Sequence, residues 1–160
     1  KERKISTKKI VGWSLAIITM LSITLTIAMN PPQETYSDGQ VHWHADIDMS
    51  VCGERRELPS PKEGNLHGEP FIGIPLLHIH DDKKIHIEGT IRKAEDISLG
   101  RFMDVISLNF KDDELLEKKN GDLCNGTPSK VKLKVNGVES SLLTKEIIKD
   151  GNAYELIFEP

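Results

Sequence analysis

Residues 41–51 alternate without a break. Val41, Trp43, Ala45, Ile47, Met49 and Val51 are apolar, and His42, His44, Asp46, Asp48 and Ser50 between them are polar. Side chains of a β-strand point to opposite faces in turn, so this period of two specifies a strand with one face buried and one wet. Cys52-Gly53 marks a turn, after which residues 54–58 can return as a short second strand. Alternation resumes over 76–89, where Leu77, Ile79, Ile85 and Ile87 oppose His78, His80, His86 and Glu88. The charged run Asp81-Asp82-Lys83-Lys84 between them reads as a hairpin tip and nothing more. Directly paired residues share a face. A loop pairing His80 with Ile85 would break that rule, so the tip is expected to be an odd-numbered loop or to carry a bulge.

The remaining segments fill in an α+β plan. Residues 59–75 hold several prolines and glycines and read as a long loop. Ser98 can cap a helix whose apolar face is Leu99, Phe102, Met103 and Ile106, running to about Leu108. A second short helix is expected over 112–119, with acids first and lysines last, as the helix dipole prefers. Val131, Leu133 and Val135 alternate with lysines ahead of Asn136-Gly137, a strong hairpin turn. Strands over 146–149 and 153–159 close the chain. This order predicts a small mixed or antiparallel sheet covered by one main helix, and a β-grasp-like arrangement fits it.

The N-terminus is of another kind. Residues 10–29 form an apolar run of about twenty residues without a charge, long enough as a helix to span a hydrocarbon core. Lys1, Arg3, Lys4, Lys8 and Lys9 precede it and Asn30-Pro31-Pro32 follow it. The basic flank stays on the cytoplasmic side of such a segment. The expected organisation is a cytoplasmic flank at 1–9, a transmembrane anchor at 10–29, a linker at 30–40 and an extracytoplasmic α+β domain at 41–160. A cleaved signal peptide ending near Thr26-Ile27-Ala28, or a buried soluble helix, are the alternatives. With the basic flank set apart, the formal net charge of −4 leaves the remainder strongly acidic. Such a domain repels phosphates, so a nucleic-acid partner is not expected; a membrane and a membrane-protein partner are.

The chain has two cysteines, Cys52 and Cys124, both in the exported part. An oxidising compartment favours a bridge between them, with two separate thiols as the alternative.

Six histidines are few, but their spacing is not random. His42-Trp43-His44 and His78-Ile79-His80 are His-x-His pairs, and His86-Ile87-Glu88 is His-x-Glu. Residues i and i+2 of a strand share a face, so the polar face of one sheet can gather these imidazoles within chelating range. Neutral imidazole is a ligand for zinc and copper(II). His42, His44, His78, His80 and His86 are therefore the candidate metal ligands, with Glu88 and Asp46 as further donors and copper or zinc as the ion. His67 reads as an exposed loop residue, although its loop could fold over the site. A plain wet face of solvated histidines is the competing reading, and a metal-free active site is a third. No His-Glu-x-x-His run, Gly-x-Ser-x-Gly elbow or cupin spacing is present, so the sequence names no catalytic residue. The functional expectation is a membrane-anchored metal-binding protein. The alternatives are a non-catalytic interaction module and a metal-dependent enzyme with an open coordination position. Asn125-Gly126-Thr127 fits the N-glycosylation pattern, which arises as readily by chance in a turn.

These motifs carry a resemblance. H-W-H-A-D at 42–46, L-H-I-H-D-D at 77–82, I-H-I-E-G at 85–89 and L-G-R-F-M at 99–103 are similar to those of a family of small membrane-anchored prokaryotic proteins of uncharacterised function. N-G-D-L-C-N-G at 120–126, K-V-N-G at 134–137 and the D-G turn at 150–151 extend it over most of the exported part. The resemblance implies a shared fold and points to the same histidines. It implies no activity.

Overall fold

The alternating segment forms a long strand, β1 (Gln40–Val51), and the rest of the sheet is built on it. A computed structural model of the chain describes residues 13, 17–22, 35–61 and 65–160. It divides the chain into residues 1–34 and 35–160. Within the first unit, residues 13 and 17–22 are helical. The rest of the run expected to cross a membrane lies outside the described residues, and among those described no helix is long and apolar enough to do so.

In the second unit β1 is followed by β2 (Glu54–Arg56), β3 (Ile72–Ile74), β4 (Leu77–Ile79) and β5 (Ile85–Thr90). After the helix Leu99–Val105 come three very short strands, β6 (Phe110–Lys111), β7 (Glu114–Leu115) and β8 (Lys118–Lys119), which pair as a meander. A small hairpin of β9 (Leu123–Cys124) and β10 (Thr127–Pro128) precedes β11 (Lys130–Val135), β12 (Val138–Ser140) and β13 (Ala153–Glu159). The main sheet has the order β12-β11-β13-β1-β5-β4-β3, with β2 also on β1. The fold is mixed α+β. Its first and last long strands, β1 and β13, are parallel neighbours, and the other pairings are antiparallel.

Apolar pairing sets the register. Across β1 and β5, Trp43 faces Ile87 and Ala45 faces Ile85; across β5 and β4, Ile87 faces Leu77 and Ile85 faces Ile79. Leu77, Ile79, Ile85 and Ile87 are all fully buried. A one-residue slip would turn each of them to the wet face, at about 1.5–3 kcal/mol apiece. The tip between β4 and β5 is odd-numbered, as expected: the ladder ends at Ile79 opposite Ile85. Leu99, Phe102 and Met103 of the helix join the same core. Ser98 caps the helix, its hydroxyl accepting from the Arg101 N–H at 3.2 Å. It stops before Leu108 because Ser107 takes a left-handed φ of 60°. There Ser107 N–H reaches the Asp104 carbonyl and Leu108 N–H the Met103 carbonyl, closing the last turn.

The helix expected over 112–119 does not form. The segment is too short to pay the nucleation cost of a helix by itself. Phe110 and Leu115 are buried as cross-strand partners instead. The Asp112 carboxylate accepts from Thr144 rather than from a following turn. Residues 146–149 make no strand in the sheet; they pair with the stretch before the helix, through Ile148 N–H to Ile97 O and Leu99 N–H to Glu146 O. The polar stretch read as linker joins the fold from Thr35 onward, where Ser37 is buried and its hydroxyl accepts from Ile91 N–H. β3 lies in what reads as loop, an edge strand beyond β4.

Cys52 and Cys124 are bonded to each other across 72 residues of chain. Closing a loop of that size stabilises the fold by about 4 kcal/mol in the chain-entropy model. Reduction, or Cys52→Ser with Cys124→Ser, is expected to lower unfolding stability by about that amount, read from urea melts with and without reductant.

Candidate metal centre

The register that buries the isoleucines carries the histidines with it. His44 lies opposite His86, and His86 opposite His78, so β1, β5 and β4 each place one imidazole in a single row across the wet face. The next row pairs His42 with Glu88. His80 follows His78 by two positions and stays on that face. Ring centroids are 4.5 Å apart for His44 and His86, 4.8 Å for His78 and His80, and 5.3 Å for His78 and His86. A turn holds the backbone of His44: its N–H donates to the Asp150 carboxylate and its carbonyl accepts from Gly151 N–H.

This face is only partly wet. His78 is 0 %, His86 7 % and His80 8 % exposed. Residues 65–71 provide the cover. The Phe71 ring meets His78 edge-on at 5.7 Å, and the Pro70 carbonyl accepts from His80 Nδ1 at 2.8 Å. Gly73 sits opposite His78 on β3, with φ at +126°. A Cβ there would stand 2.5 Å from the Leu77 carbonyl, so only glycine lets β3 close against His78.

Hydrogen bonds define which nitrogens carry protons. A carbonyl only accepts, so His80 holds its proton on Nδ1 and keeps a lone pair on Nε2. His86 Nε2 donates to the Asp82 carboxylate at 3.0 Å, leaving the Nδ1 lone pair free. That Nδ1 is buried and finds no hydrogen-bond partner among the described residues; the ring nitrogens of His78 make no bond of good geometry either, although the Ile74 backbone lies near enough to act on the ring. Donating the far ring nitrogen to a carbonyl or carboxylate is how metal-binding histidines are oriented. Glu88 lies among the rings: its Oε1 is 3.2 Å from His42 Nε2, 3.8 Å from His86 Nδ1 and 4.0 Å from His78 Nε2, and its Oε2 is 2.8 Å from His67 Nε2.

Burial pushes His78 down to about 4, against the pull of Glu88, so its ring is neutral at physiological pH. Burial also lowers His86, opposed by Asp82. Desolvation would raise Asp82, but the Lys84 N–H and His86 outweigh it and hold the carboxyl below its ordinary value. Glu88 is lowered in the same way, with the His67 hydrogen bond and the neighbouring His42 and His78 rings overcoming desolvation. The face thus holds ionised carboxylates beside the neutral rings of His78 and His86. That donor set suits a cation.

Two triads, His42–His44–His86 and His78–His80–His86, can each offer three nitrogens lying within 4.8 Å of one another. All five candidate histidines and Glu88 come together. Asp46 does not; its carboxylate is tied to Lys84 at 2.5 Å, outside both triads. Asp48 pairs with Arg55. The tip is more than a charged turn, because Asp82 holds His86. His67 is exposed, yet it hydrogen-bonds Glu88, a contact that loop sequence does not signal. A cleft of about 520 Å³, lined by residues including His42, His67, Leu66, Pro75 and Glu88, opens beside this end of the cluster.

No known protein family, curated protein or solved structure matches the chain. What it is rests on its own residues: a mixed α+β domain with a histidine face that could hold a metal ion.

Because folding depresses His78 from 6.5 to about 4, its contribution to stability is full above pH 6.5 and is lost as the pH falls to about 4. In metal-free protein this costs up to about 3 kcal/mol across that window. Urea midpoints at pH 7 and pH 4.5 measure it, and His78→Gln is expected to flatten the difference.

Proposed function

We propose that this protein binds a transition-metal ion, copper or zinc, on its histidine face. One observation carries the reading: His78 and His86 present buried imidazole nitrogens that make no hydrogen bond of good geometry among the described residues. Burying such groups unpaired costs about 1–3 kcal/mol each, and a bound cation removes that cost. His42, His44, His78, His80 and His86 would supply the ligands, with Glu88 balancing charge. His80 and His86 are held from behind by Pro70 and Asp82.

The setting is part of the proposal. We read the apolar run at 10–29 and its basic flank as support for a domain tethered outside a membrane, where it would buffer or hand over metal; the resemblance to membrane-anchored prokaryotic proteins supports the same setting. We read the sheet as β-grasp-like, supported by the parallel pairing of β1 and β13 beside β11 and β12. A second reading, a metal-dependent enzyme, is favoured by the cleft that reaches His42 and Glu88.

Elemental analysis of the purified full chain, loaded with zinc or copper and desalted, tests the reading. At least one ion per chain is expected, and His78→Ala/His80→Ala should weaken binding by about 100-fold or more. Substoichiometric metal that the double variant leaves unchanged, with the variant folded by circular dichroism, would overturn it.

A further inference from the structure

The two triads differ in their access to solvent. His78, His80 and His86 are all buried. The Phe71 ring stands edge-on to His78, the Pro70 carbonyl engages His80, and β3 pairs along β4 at His78. At the other end of the cluster the cleft is lined by His42, His67 and Glu88, with His42 exposed and His44 half-buried. An ion arriving through the cleft therefore meets His42–His44–His86 before it meets His78–His80–His86.

The triads also overlap. Both contain His86, whose Nε2 is engaged with Asp82, so Nδ1 is the nitrogen it offers to either. Glu88 Oε1 lies 3.2 Å from His42 Nε2, 3.8 Å from His86 Nδ1 and 4.0 Å from His78 Nε2, so donors of both triads converge on one oxygen. The other oxygen of that carboxylate is held by His67 at 2.8 Å. From this overlap we infer that a single ion is taken up at His42–His44–His86 and passed to His78–His80–His86, with His86 and Glu88 holding it throughout. The inference rests on the metal-binding reading above and sets its five histidines in order: His42 and His44 hold the ion in passage, and the buried triad keeps it. Each handover exchanges one metal–nitrogen bond for another, with no electron transferred, and His80 Nε2 and His86 Nδ1 already carry lone pairs for it. A cation that stays bound to a carboxylate and an imidazole is never left bare in a half-buried site, where an unpaired charge is costly. The buried nitrogens give the direction. Those of His78 and His86 lack a good partner until the ion arrives, whereas His42 has solvent and Glu88.

Stopped-flow mixing of the full chain with copper(II) tests this, since an imidazole set that holds zinc holds copper(II) more tightly. Trp43, between His42 and His44 in the chain, reports arrival by quenching of its fluorescence. A group that touches the ion only on the way lowers the barrier equally in both directions. His42→Gln/His44→Gln is therefore expected to slow association and release together, by about tenfold or more, with the ion still retained at the end. His78→Ala/His80→Ala is expected to keep the association rate of the unaltered chain and to release the ion faster. If the first variant associates as fast as the unaltered chain, or releases the ion faster, the inference is overturned and the metal-binding reading stands. Slowed association in the second variant, with its fold retained by circular dichroism, would overturn it too. No copper bound by the unaltered chain would overturn both.

Discussion

The pairing of β1 with β5 and of β5 with β4 is the constraint on which the rest depends. It is enforced from the dry side, where Ile85 and Ile87 stand between Ala45 and Trp43 on one strand and Ile79 and Leu77 on the other. Nothing on the histidine face need be favourable for that register to hold. The imidazoles are carried into one row because strand side chains alternate, and Glu88 is carried in beside His42. A core that fills itself thus assembles a polar cluster that would not assemble alone.

That cluster carries an electrostatic burden. Neutral imidazoles at van der Waals range repel little, but protonating them all would set several positive charges in a half-buried site. The structure lowers His78 and His86 by burial and keeps Glu88 and Asp82 ionised beside them. Phe71, Pro70 and His67 supply the cover that burial requires. The Cys52–Cys124 bond ties the far end of β1 to the β9 hairpin, so the strand is held at that end by a covalent link and at His44 by the Asp150-Gly151 turn.

Much of this was legible from periodicity. β1, β5, the Ser98 cap, the Asn136-Gly137 turn and the gathering of His42, His44, His78, His80, His86 and Glu88 all follow from rules of spacing. What failed was local reasoning without tertiary context. Over 112–119 the charge order suited a helix, but burial of Phe110 and Leu115 and the Asp112–Thr144 contact won. Asp46 shares a face with His44, yet the nearby Lys84 claims it. Asp82 and His67 act through loops, whose course no repeating pattern reports. The strand β3 is short and broken by Gly73, which exists there to let the backbone come close to His78.

Gly73 and the odd-numbered tip imply something about how such a site can change over generations. Substituting a histidine alters the donor set and leaves the core intact, so ligand identity is free to drift. Inserting or deleting a single residue inside β4 or β5 would exchange the two faces beyond that point, turning imidazoles into the apolar core and isoleucines out of it. Chain length in this hairpin is therefore a heritable invariant of the centre, guarded by selection for folding itself. A lineage could lose its histidines one by one and still keep the frame that gathers those positions on one face.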